Sequence, residues 1–150
     1  MKTIYLIATA AVLIAGCSDN QQTGSTKAGA TKPAAGVAQA FVTGTPFTGP
    51  DFAVAGAAIT VDPNPYSACA FPKGQAIVNV GFDAREAGAK HVQILVQGTH
   101  SKPQLWGQAP GVLATHPTGK WITDGVKFLL LDMTTQKLIA VTTVHATPCP

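Results

Sequence analysis

His91–Gln97 reads HVQILVQ. Polar and apolar residues alternate through most of it, and a period of two marks a strand with one buried face. The pattern sends Val92, Ile94 and Val96 toward a core, and His91, Gln93 and Gln97 toward solvent. Upstream, Gln75–Phe82, QAIVNVGF, puts Ala76, Val78, Val80 and Phe82 on one face. Before it, Ala58–Val61, AITV, alternates and stops at Asp62-Pro63-Asn64-Pro65, because proline cannot donate to a ladder. Asp83–Ala89, DAREAGA, is expected to be a loop.

Downstream, Gln104-Leu105-Trp106 predicts a short edge strand. Gln108–Gly119 carries several glycine and proline breaks and is expected to be loop. Lys120–Thr123 predicts a short strand around Trp121, with that tryptophan in the core. Val126–Leu131, VKFLLL, is nearly continuous in its apolarity, as a central strand would be. Met133–Gln136 is a turn, and Lys137–Ala146, KLIAVTTVHA, a long last strand rich in β-branched residues. Short strands separated by turns about every 8 to 12 residues predict an all-β fold, a seven-stranded immunoglobulin-like β-sandwich over residues 51–150. Composition agrees: 11% of residues are charged, with 15 Gly and 11 Pro. The formal charge of +3 is too weak to suggest nucleic acid, and no basic run exists.

The start of the chain reads differently. Lys2 is followed by the uncharged, mostly apolar run Ile4–Gly16. It is shorter than the roughly 20 residues that span a bilayer, but suits the apolar part of an export signal. Ile14-Ala15-Gly16-Cys17 resembles the lipobox of bacterial lipoproteins. The competing reading is an ordinary secretory signal that contains a cysteine. The resemblance implies removal of residues 1–16 and two or three acyl chains on Cys17, enough for firm anchoring. Ser18 at the next position implies, by the enteric sorting pattern, an outer-membrane destination. Residues 17–50 then form a lipidated cysteine and a flexible linker rich in Gly, Ala, Thr and Pro, reaching on the order of 30 Å. Within it, Val37–Phe47 holds two Phe and either packs on the domain or forms a short helical turn.

With Cys17 used for lipid, Cys69 and Cys149 remain as an even pair in an oxidising compartment, which predicts a disulfide. The alternative is two free buried thiols. In a sandwich of this order the first and last strands end at one pole, where both cysteines would meet. Thr118–Asp132, TGKWITDGVKFLLLD, is similar to the fibronectin type III corner, with Gly125 and Phe128 in the turn and aromatic places. Phe128 lacks the hydroxyl that the family's tyrosine bonds to the backbone.

Candidate sites are few. His91, His100, His116 and His145 do not pair at metal-ligand spacing. Ser67 and Ser101 lack a nucleophile motif. Asp83, Arg85 and Glu86 suggest a solvated ion pair. No catalytic residue, metal or cofactor is therefore expected. Trp106, beside a Gly- and Pro-rich segment, either anchors a partner or covers the open face of the sandwich. Together these observations predict a non-enzymatic, lipid-anchored binding or display module of the bacterial envelope. Its partners are the membrane, through Cys17, and an unknown protein or glycan. The alternative is an inhibitor or immunity-type lipoprotein that inserts the long segment Gly98–Gly119 into an enzyme, toxin or phage component.

Overall fold

A computed structural model describes residues 34–71 and 74–150. The expected signal segment 1–16, Cys17 and the part of the expected linker up to residue 33 lie outside the described residues. The described chain is all-β, and its main sheets are antiparallel. In chain order the strands are β1 (Ala34–Ala35), β2 (Gln39–Ala40), β3 (Phe52–Ala53), β4 (Ala58–Asp62), β5 (Tyr66–Ser67), β6 (Asn79–Asp83), β7 (His91–Gln97), β8 (Gln104–Pro110), β9 (Val112–Pro117), β10 (Lys127–Asp132), β11 (Lys137–Thr143) and β12 (Ala146–Thr147). The large sheet runs β1-β3-β11-β10-β7-β8, with β2 also on β11; a second sheet runs β4-β6-β9. Ile59, Val80 and Phe82 of the small sheet meet Val92, Ile94, Phe128, Leu130 and Ile139 of the large one in a single core. This arrangement is consistent with a β-sandwich.

Two sequence expectations need correction. Gln108–Gly119 is not a loop: Gln108–Pro110 completes β8, and Val112–Pro117 forms β9. Gly111 is the crossover, where one extended segment leaves the large sheet and joins the small one. Its N–H donates to the Lys90 carbonyl at 3.0 Å, and its carbonyl accepts from Ala84 N–H at 2.7 Å. A Cβ at this point would sit 2.2 Å from the Ala89 carbonyl oxygen, so only glycine lets the backbones approach this closely. The expected strand Lys120–Thr123 reduces to one bridge, Ala76 with Ile122. Ile122 takes the buried place there, and Trp121 is left 36% exposed.

The alternation in β7 also resolves differently. Val92 and Ile94 face the core as expected. Leu95 and Gln97, on the opposite face, are buried too. They lie under the chain between β1 and β4, which crosses the outer face of the large sheet as a strap. Phe52, Leu95, Leu129, Leu131, Leu138 and Val141 form a second apolar cluster, with Phe41, Phe47 and Val54 against it. Of the two alternatives for Val37–Phe47, packing on the domain is the one observed. VKFLLL is apolar throughout because both of its faces are covered: Phe128 and Leu130 point into the main core, Leu129 and Leu131 under the strap.

One end of the strap is fastened by polar groups. Gln97, Lys127 and Thr143 lie side by side across β7, β10 and β11. The Gln97 amide acts as a piece of strand, donating to the Phe47 carbonyl at 3.0 Å and accepting from Phe47 N–H at 2.8 Å. Asp51 accepts from Thr143 N–H at 2.7 Å and from its hydroxyl, while Lys127 Nζ donates to that hydroxyl at 2.7 Å. Gln97→Ala leaves both Phe47 groups without these partners. It is expected to cost about 1 to 3 kcal/mol, read as a lower urea midpoint at unchanged slope.

At the far end, the Met133–Gln136 turn is built on Asp132. Burial alone would raise this carboxyl, but bonds from the Thr135 hydroxyl (2.6 Å) and Thr134 N–H (2.9 Å) outweigh it and hold it below its ordinary value. A carboxyl depressed on folding adds stability above its unfolded pKa and loses it as pH falls through the folded one. Stability is therefore expected to decline below about pH 4, and less steeply in Asp132→Asn. Urea midpoints at descending pH check this; parallel curves for the two proteins would clear Asp132 of the effect.

Candidate functional site

Trp106 lies within β8, an edge strand that pairs only with β7. Ile94 pairs with Gly107 and Leu95 with Leu105, so Trp106 is the extra residue of a β-bulge. A bulge re-aims the side chain it carries. Leu105 stays on the outer face at 57% exposure, whereas Trp106 packs against the main core. Its indole meets the buried Phe128 ring at 5.6 Å and the His116 ring at 6.1 Å, both edge to face. Of the two roles the sequence offered for this tryptophan, its position shows the covering one: half-buried, it closes the core on the side where β8 and β9 diverge.

That divergence leaves a cleft of about 280 Å³, lined by Ile94, Trp106, Gly107, Gln108, Ala109, Leu113, His116 and Pro117. The space beside Gly107 is open: a Cβ there would meet nothing within 4 Å apart from its chain neighbours. His116 Nδ1 lies 3.1 Å from the Pro117 carbonyl. A carbonyl only accepts, so Nδ1 carries the proton in this contact. The cleft thus combines an indole, an imidazole and apolar side chains, without a carboxylate, ammonium or guanidinium among its lining residues; Gln108 pairs with Gln93, which turns its amide to the other face of the sheet. Sequence reasoning found Trp106 but missed His116 as its neighbour. No alternation gives this: Leu113 and His116 stand three apart and share a face only through the shift in pairing between Val80 and Phe82.

The other candidates fall elsewhere. Cys69 and Cys149 come together in the position of a disulfide, with Cα atoms 5.4 Å apart, within the range a disulfide requires. The pole that holds them is built by β5 and β12, which pair in parallel just before the two cysteines. Asn64 reinforces it, donating to the Thr143 carbonyl and accepting from His145 N–H, each at 2.9 Å. Arg85 pairs with Asp83 at 2.6 Å on the surface, and its hydrogen bonds lower the Asp83 carboxyl to about 2. His91 starts β7, His100 lies in the turn before β8, and His145 lies between β11 and β12, 4.0 Å from Asp124. Among the described residues no group of three His, Cys, Asp or Glu side chains is placed to hold a metal ion.

No family model matches the chain, and no curated protein or solved structure matches it either.

Proposed function

We propose that this chain is a bacterial lipoprotein, anchored at the outer membrane through acyl groups on Cys17. In this reading its β-rich domain is a non-enzymatic, immunoglobulin-like binding module that displays the cleft beside Trp106. The observation that carries the binding assignment is the cleft itself. A bulge turns one tryptophan into the gap between two sheet edges, and the space beside Gly107 is open. Concave sites lined mostly by apolar and aromatic side chains with a few polar groups are common ligand sites. Strand order supports the immunoglobulin-like assignment. β4, β6 and β9 take the places of strands A, B and E, while β7, β8, β10 and β11 take those of C, C′, F and G. The anchor rests on Ile14–Cys17 and on the linker that follows it. The inhibitor reading gains nothing here, because Gly98–Gly119 is mostly strand rather than a protruding loop.

Two measurements test the proposal. Cys17→Ser is expected to move the protein out of the membrane fraction; a variant that still sediments with outer membranes would end the lipoprotein reading. Crosslinking in intact cells is expected to capture a partner with the wild-type chain and lose it in Gly107→Val, which fills the cleft while leaving Trp106 in place. Trp106→Ala is the poorer probe, because it removes both a cleft wall and a core contact.

A further inference from the structure

Granting that the cleft is the binding surface, we infer that its ligand is a neutral saccharide, one ring of which enters against Trp106. Three observations support this. The first is size. At about 280 Å³ the cleft falls just below the range typical of pockets for whole small-molecule ligands. It accepts one ring-sized group and leaves the rest of the ligand outside.

The second is chemistry. Trp106 offers an aromatic surface for the C–H groups of a sugar, and the His116 imidazole offers a partner for a hydroxyl. No lining residue carries a carboxylate, ammonium or guanidinium. The indole is also held in advance by Phe128 and His116, which reduces the entropy lost on binding.

The third excludes the main competitor. A pocket flanked by sheet edges could take an extended peptide by strand addition. Here both flanking edges are irregular. β8 is bulged at Trp106, and on β9 Ala114 and Thr115 together stand opposite Gly81. Bulges at an edge interrupt the regular ladder that an added strand requires.

The test uses the full-length chain in detergent micelles, titrated separately with chitotriose, cellotriose and maltotriose. The readout is the indole N–H signal of Trp106, assigned with Trp121→Phe, together with the Gly107 amide. At least one sugar is expected to give saturable shifts with a Kd on the order of 1 mM, as one small buried ring would support. Gly107→Val is expected to abolish these shifts while melting as the wild type does. Should Gly107→Val melt early, Ala109→Leu fills the same cleft and serves in its place. Absence of saturable shifts with all three sugars overturns the inference, as do shifts that persist in a folded, filled variant. Movement of the same signals by an extended apolar peptide, with no response to sugars, overturns it in favour of strand addition. If sugars fail but crosslinking still yields a partner lost in Gly107→Val, the cleft remains the binding surface and only its ligand class is wrong.

Discussion

Replacing Cys69 and Cys149 together by serine is expected to lower the unfolding free energy by roughly 4 to 5 kcal/mol. The two residues are 80 apart in sequence, so the bond closes most of the domain into one loop. On the chain-entropy account it acts mainly by restricting the unfolded chain, and long loops give the larger effects. There is also a local reason to expect a loss. β5 and β12 contribute two residues each, and Tyr66, packed edge to face on Phe71 at 6.0 Å, is buried beneath them. Without the crosslink this short pairing rests on its backbone bonds and on the side chains of Asn64 and Asp124. Denaturant midpoints of the two proteins measure the effect. Mass spectrometry of unreduced protein should yield a linked Cys69–Cys149 peptide pair, and labelling of both thiols in folded, oxidised protein would mean that the bond is absent.

A comparable loss, about 3 to 5 kcal/mol, is expected for Phe52→Ala. Phe52 sits where the strap presses on the large sheet, pairing across β3 and β11 with Val141. Its ring meets that of Phe47 at 6.2 Å and lies in the cluster with Leu95, Leu129 and Leu131. Truncation leaves a cavity in this second layer and weakens the hold of Phe47. Phe41→Ala, at a half-buried place, should cost less. Thermal melts rank the two, and binding of an apolar dye before the main transition would show the strap lifting first. Equal, small effects would mean that the second layer contributes little.

Much of the large sheet was legible because its strands obey simple periodicity. The strands at 91–97 and 127–132, the turn at 133–136 and the last long strand follow directly from residue alternation and β-branching. Two parts were hidden, for identifiable reasons. Prolines 110 and 117 look like breaks, yet each falls at a strand end, where a missing N–H costs little. Gly111 looks like a loop residue, yet it is needed because two backbones touch there. Lys120–Thr123 has the composition of a strand but finds only one bridging partner, and composition does not supply a partner. The strap left a trace that alternation alone discounts. Leu95, Leu129 and Leu131 are apolar on a face that should have been wet, and Gln97 beside them is a polar residue placed to receive a backbone. The cleft depends on a one-residue slip in pairing, which no propensity reveals.

The strap also sets the order in which the molecule would bear load. On the proposed anchoring at Cys17, a pull between membrane and partner would enter the domain through the residues before β4. Tension reaches β1, β2, the Gln97 clamp and the Asp51–Thr143–Lys127 contacts before it reaches the sandwich core. On that reading these contacts stand in series with the tether, so they would take up load before β4 to β11 and the cleft.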